Sequence, residues 1–196
     1  MAEMTQPDAA AGVNEYALVA YVPAPLGPFL DELRNELAPR MPPGRSHVTV
    51  LQPRPLLEDP VGVWKRLRDR ATKLTAFRVE ATRVEVFEET GVVFLALGDG
   101  SRELERLHHL LNRDGAAFPE PYPFHPHITL AMGIERDRLD AAVARARQRW
   151  SDFAGARDFV AKRFHFVQNT LVGLWMDLGE VELDGSNEPD STSSSR

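Results

Sequence analysis

Two short stretches, eighty residues apart, limit what this chain can fold into more than any other feature: Ser46-His47-Val48-Thr49-Val50-Leu51 and Phe124-His125-Pro126-His127-Ile128-Thr129-Leu130. Each reads as a strand, in which successive side chains point to opposite faces. His47 and Thr49 share one face, with Val48 and Val50 behind; His127 and Thr129 share one face, with Ile128 and Leu130 behind. In both, a histidine and a hydroxyl stand side by side on a face whose reverse is apolar and belongs against a core. Pro126 cannot donate to a ladder, so it marks the first residue of its strand or an edge.

The same offset continues downstream. Arg83-Val84-Glu85-Val86 aligns with Arg163-Phe164-His165-Phe166, Thr90 with Thr170, Val79 with Phe159 and Ala81 with Ala161. The period is too long and its copies too few for a solenoid. Two similar lobes, each giving one His-x-Thr strand to a shared cleft, fit better. A lone histidine beside a threonine reads as a locally bonded core residue; a pair in register across a repeat does not.

Between these landmarks the elements alternate. Residues 15–22 form a nearly continuous apolar run, a central strand. Leu26, Leu30, Leu33 and Leu37 recur at helical spacing and predict a helix over 26–38. Pro39 and the Met41-Pro42-Pro43-Gly44 segment end it, and a loop with Arg40 and Arg45 leads into the first His-x-Thr strand. Gln52-Pro53-Arg54-Pro55 ends that strand. Val61, Trp64, Leu67, Ala71 and Leu74 mark a second helix, whose outer face carries Lys65, Arg66, Arg68 and Arg70, read as solvated. From Phe77 to Glu88 the apolar parity switches, which predicts a bulge near Thr82. Glu89-Thr90-Gly91 is a turn into a return strand at 92–97. Leu104, Leu107, Leu110 and Leu111 predict a helix over about 101–113, with His108 and His109 as surface or boundary residues. Leu139, Val143, Ala146 and Trp150 mark a fourth helix, and a hairpin over 159–178 closes the chain.

Each half therefore reads strand, helix, His-strand, helix, strand. The expectation is an α+β fold of pseudo-symmetric, duplicated β-α-β-α-β units, with two antiparallel-type sheets facing a central groove and helices outside. It forms a single bilobal domain over 14–183, with lobes from about 14–90 and 91–183. Residues 1–13 and the polar tail 184–196 are expected to be disordered.

Composition narrows the function. The chain has no cysteine, which excludes disulfides, thiol nucleophiles and cysteine-based zinc sites. No apolar run reaches the length of a membrane span and no signal peptide is recognisable, so the expectation is a cytoplasmic protein with no membrane partner. A net charge of −6 argues against wholesale binding of long nucleic acid. The cations are twenty arginines against three lysines. Arginine suits bidentate contact with phosphate, although codon bias accounts for most of these.

Two histidines across a groove can divide proton transfer. A neutral imidazole accepts a proton from a nucleophile while an imidazolium protonates a leaving oxygen. Threonine hydroxyls beside them can donate to non-bridging oxygens, so a phosphodiester uses all four groups.

These residues resemble the 2H phosphoesterase superfamily, named for two His-x-Thr/Ser-x motifs. His47-Val48-Thr49-Val50 and His127-Ile128-Thr129-Leu130 match both, and Pro53 with the Phe-His-Pro-His entry is similar to the bacterial 2′-5′ RNA ligase family branch. The resemblance spans roughly residues 15–180. It implies a bilobal α+β fold and metal- and cofactor-independent action on 2′,3′-cyclic phosphates of RNA ends or nucleotides. His47 and His127 would be the catalytic acid/base pair, and Thr49 and Thr129 would bind the substrate phosphate. The ligase-type branch adds reversible 2′-5′ joining. One position and one short segment depart from it. Met132 stands where many ligase-type members have arginine, and Leu51-Gln52-Pro53 replaces Phe-Leu-Gly. Arg45, Arg54 and Arg163 are the candidate replacement cations. The expectation is a monomeric hydrolase whose partner is a nucleotide or an RNA 2′,3′-cyclic phosphate end. The alternatives are a reversible 2′-5′ RNA ligase, a non-catalytic nucleotide- or RNA-binding module, a metal site built on His125, His127 and His165, and a scaffold acting through its acidic tail. Trp175 and Phe166 are candidates to stack a base.

Overall fold

A computed structural model describes residues 14–42, 44–171 and 174–184. The segment 1–13, Pro43 and most of the tail read as disordered lie outside these. Asp184, expected in that tail, is instead anchored: its N–H donates to the Leu74 carbonyl at 2.7 Å, and its own carbonyl accepts from Ala76 at 2.8 Å.

The chain runs β1 (Glu15–Tyr21), α1 (Leu26–Leu37), β2 (His47–Arg54), α2 (Pro60–Ala71), β3 (Phe77–Phe87), β4 (Val92–Leu97), α3 (Ser101–Leu111), β5 (His127–Ala131), α4 (Arg136–Asp152), β6 (Asp158–Ala161), β7 (Arg163–Leu171) and β8 (Leu174–Glu182). Two four-stranded antiparallel sheets result, ordered β2-β1-β7-β8 and β5-β4-β3-β6. The repeated β-α-β-α-β order of the two halves is present.

The boundary expected between lobes near residue 90 is corrected. Each unit sends its third strand into the other sheet: β3 pairs with β4, and β7 pairs with β1. Helices cross over as well. α1 packs against β5 and α4, and α3 against β2. Both sheets therefore draw on the whole chain. This exchange puts β2 and β5, the two His-x-Thr strands, at the sheet edges, where they lie against each other. An edge also tolerates Pro53, so β2 continues through it to Arg54 instead of ending there.

Local chemistry explains the elements. Asp59 caps α2 by accepting from the Gly62 N–H at 3.0 Å, with Pro60 at the first helical position. Gly91 closes the β3–β4 turn at φ +67°, a region that favours glycine. The bulge expected near Thr82 is there: the β3–β4 register shifts between Ala81 and Val84. It is stapled by the Trp150 indole N–H, which donates to the Thr82 carbonyl at 2.8 Å. Eighty residues on, β6 and β7 break at Lys162, whose carbonyl accepts from Leu183 at 2.8 Å.

The core lies between helices and sheets. Leu30, Leu33, Leu104, Leu111, Val48, Val50, Ile128 and Leu130 are fully buried in one cluster. Each such side chain contributes roughly 2 kcal/mol. Phe166 belongs to this core, stacked on Trp64 at 5.3 Å, so it is not available to a base. Three of the four basic residues on the outer face of α2 are paired: Lys65 with Asp69, Arg66 with Glu58 and Arg70 with Asp114.

Candidate active site

On β2 and β5 the alternation read in the sequence holds. Val48, Val50, Ile128 and Leu130 are buried, while His47, Thr49, His127 and Thr129 are partly exposed on the opposite, groove-facing side. The ladders fix neighbours: Tyr21 stands opposite His47 and Val19 opposite Thr49, while Ala96 stands opposite His127 and Phe94 opposite Thr129.

The two histidines are held identically. The Nδ1–H of His47 donates to the Arg45 carbonyl, and that of His127 to the His125 carbonyl, each at 2.7 Å. A carbonyl only accepts, so each bond fixes the proton on Nδ1 and leaves Nε2 free. Neither threonine hydroxyl has a hydrogen-bond partner among the described residues, so both are free to donate.

Burial pushes His47 down to about 4. The Arg45 carbonyl opposes this, the charges of Arg34 and His127 add to it, and Asp31 opposes it. His127 is lowered too, by burial first, against its bond to His125 and with the His125 charge adding.

The groove walls differ in chemistry. Beside His127 lie Phe87 and Phe94, stacked at 4.0 Å, with the His127 ring edge-on to them at 5.1 and 5.3 Å. Beside His47 lies Tyr21, which donates to Asp177 at 2.6 Å and packs on the His165 ring at 4.6 Å. Burial, and then Asp177, raise the Tyr21 phenol; burial lowers His165 against the pull of Asp177 and Glu180. His165 is thus a groove residue, on the wall opposite His125. Trp175 packs beside Ala17, Val19, Val167 and Tyr21 on the same sheet. Among the described residues no group of three or more His, Asp or Glu side chains is arranged to hold a metal ion.

Of the candidate cations, Arg54 is 1% exposed and bound to Glu120 at 2.5 Å, with further bonds to Asn112 and the Ala116 carbonyl. Arg163 is paired with Glu180 and Glu182. Arg45 is exposed at the groove, its guanidinium 3.7 Å over the Tyr21 ring. Met132 is exposed.

The surface reading of His108 is corrected. It is 3% exposed, bonded to the Val50 carbonyl at 2.8 Å, within 3.2 Å of Glu120 and stacked on Phe124 at 3.9 Å. The glutamate that draws it inward lies twelve residues further on, in a loop without periodicity. Tyr21, Asp177, Phe87, Phe94 and Arg34 were not singled out in the sequence. The alternation Ala17, Val19, Tyr21 was the available signal for the first; the others depend on strand pairing and helix packing between distant segments.

The sequence profile of the 2′-5′ RNA ligase superfamily matches residues 22–171. A Bacillus licheniformis protein carrying the provisional name phosphoesterase is 22% identical over 162 residues, covering 82% of this chain and 94% of its own. Among solved structures, Escherichia coli LigT complexed with 3′-AMP superposes with a TM-score of 0.60 at 18% identity, covering 88% of this chain and 99% of LigT. TT0787 of Thermus thermophilus gives 0.59 at 20% identity, covering 88% and 100%.

Proposed function

This chain belongs to the 2′-5′ RNA ligase superfamily, and on that premise we propose that it is a two-histidine, metal-independent phosphoesterase acting on the 2′,3′-cyclic phosphate of RNA ends or nucleotides. One observation carries the reading: His47 and His127 present Nε2 atoms from matching edge strands, each ring fixed by the same 2.7 Å bond and each followed two residues on by a threonine hydroxyl without a hydrogen-bond partner among the described residues.

In this reading the phosphate sits between β2 and β5. One neutral Nε2 accepts the proton of an attacking water, and the other ring, as imidazolium, gives its Nε2 proton to the departing ribose oxygen. Attack and departure lie on opposite sides of phosphorus, as a two-sided groove allows. Thr49 and Thr129 donate to the two non-bridging oxygens, where charge concentrates. Carbonyl bonds that hold both rings before substrate arrives spare the reaction that reorganisation. LigT has been captured with 3′-AMP, which supports a nucleotide-sized ligand in a groove of this fold. The whole constellation comes from one chain, so a monomer suffices.

The test is incubation of the protein with 2′,3′-cyclic nucleotides, and with a short RNA ending in a cyclic phosphate, in the presence of EDTA. Accumulation of a 2′- or 3′-phosphate is expected, and the isomer identifies the bond broken. No turnover on either substrate contradicts the proposal.

A further inference from the structure

The wall on the His47 side of the groove gathers polar groups that the proton-transfer scheme does not use. On β1, Leu18 and Ala20 enter the main core, while Ala17, Val19 and Tyr21 line the opposite face. Tyr21 stands opposite His47 on β2, Val19 opposite His165 on β7, and Asp177 on β8 opposite Val167 of the same small cluster. Residues directly opposite in an antiparallel ladder share a face. Four strands therefore bring these side chains to the face that carries His47.

Tyr21 is held from two sides. Its hydroxyl donates to Asp177 at 2.6 Å, and its ring packs on His165 with 4.6 Å between centroids. Over that ring lies the Arg45 guanidinium, 3.7 Å from the centroid. Stacking of this kind fixes the plane of a guanidinium but spends none of its N–H donors. Arg45 is exposed, and no carboxylate pairs with it among the described residues. The acidic groups on this wall are engaged elsewhere: Asp177 by Tyr21 and, at 3.5 Å, by His165, and Glu180 by Arg163 at 3.3 Å. A planar fork of donors, oriented in advance and left without an acceptor, matches the oxygens of a phosphate.

In the reading above, the reacting phosphate lies between β2 and β5, against Thr49 and Thr129. Arg45 stands to one side of that place. It precedes His47 by two residues where Thr49 follows it by two. Its guanidinium rests over a residue of β1, the ladder partner of β2, whereas β5 meets β2 from the other sheet. The anion it fits is thus a second one on the same substrate. In a nucleoside 2′,3′-cyclic phosphate, the remaining ribose position that carries a phosphate is O5′.

We propose that Arg45, set on Tyr21, is a specificity-determining residue that binds a phosphate on O5′ of the nucleoside whose 2′,3′-cyclic phosphate reacts. The inference rests on the phosphoesterase reading above and narrows its substrate class to cyclic phosphates that bear this second phosphate. A nucleotide supplies it as a 5′-phosphate, and an RNA end as the linking phosphate. Arg45 has no part in the proton transfers. Its bond to the His47 ring comes from the backbone carbonyl, which any side chain at this position retains.

The measurement is kcat/KM for three substrates that share one base: a nucleoside 2′,3′-cyclic phosphate, the same compound with a 5′-phosphate, and a dinucleotide ending in that cyclic phosphate. Each is tested with the wild-type protein, Arg45→Gln and Arg45→Lys. The quantity read is the preference, kcat/KM on a substrate with the second phosphate divided by kcat/KM on the plain one, so a general loss of activity cancels. The wild-type preference should be about tenfold or more, the worth of a hydrogen bond between charged groups. Arg45→Gln should bring it to within about twofold of unity, and Arg45→Lys should keep a part of it, since lysine retains the charge but not the fork. Whichever of the two phosphate-bearing substrates shows the larger wild-type preference identifies the source. A wild-type preference near unity overturns the inference, as does one that Arg45→Gln leaves intact through equal losses on all three substrates. Absence of wild-type turnover on every substrate overturns the functional reading itself, a result distinct from turnover without preference.

Discussion

Arg54 and Glu120 form a buried ion pair, 2.5 Å apart, that ties the end of the His47 strand to the loop delivering His127. His108 joins the same glutamate at 3.2 Å and holds the Val50 carbonyl of β2, while Phe124, three residues before His127, stacks on its ring. Burial works against the Glu120 charge, yet His108 and Arg54 hold its carboxyl below the usual range. The network bridges β2 and the loop leading into β5.

Glu120→Ala leaves Arg54 as an uncompensated buried charge, and breaking a buried pair in this way costs about 3–5 kcal/mol. Denaturant unfolding is the check. A loss under about 1 kcal/mol, the range of exposed pairs, contradicts the structural reading of this network.

Thr49→Val and Thr129→Val should each lower kcat/KM by roughly 10- to 100-fold, the worth of one hydrogen bond to a charged oxygen. Stability should barely change, because neither hydroxyl has a protein partner among the described residues. Steady-state kinetics beside thermal unfolding separates the two effects. An equal loss of stability without loss of turnover would assign the hydroxyls to the fold.

Stability should fall as pH drops from about 6.5 toward 4. Folding lowers His47, so between those values the unfolded chain binds more protons and acid favours unfolding. The contribution is about 2 kcal/mol once the partial exposure of the ring is allowed for. His127 and His165 act in the same direction. Denaturation midpoints across this range should slope less for His47→Gln than for the wild-type protein; parallel slopes contradict the assignment.

The groove faces of β2 and β5 were legible because strand alternation is a local property. His47, Thr49, His127 and Thr129 needed only the period of two and the offset of eighty, and the parity switch at Thr82 exposed the bulge in the same way. The exchange of β3 and β7 between sheets was not legible, since apolar alternation names a strand's buried face but not its partner. Arg34 sits one residue from Leu33 on an amphipathic helix, at a position that periodicity alone reads as boundary. It is only 7% exposed, with Gly44 beside its guanidinium. His108 likewise depends on a distant contact: Glu120, twelve residues on, meets it from the proline-rich loop.

The central claim is that His47 and His127 act as one pair, and the most direct measurement is turnover of a 2′,3′-cyclic nucleotide by His47→Ala, His127→Ala and the double variant, each confirmed folded. Each single substitution should cost about 10²–10⁴ in kcat. The double variant should be little worse than either single one, because residues that act as a unit are not additive. A single variant that keeps near-wild-type turnover, or losses that simply multiply, would contradict the account.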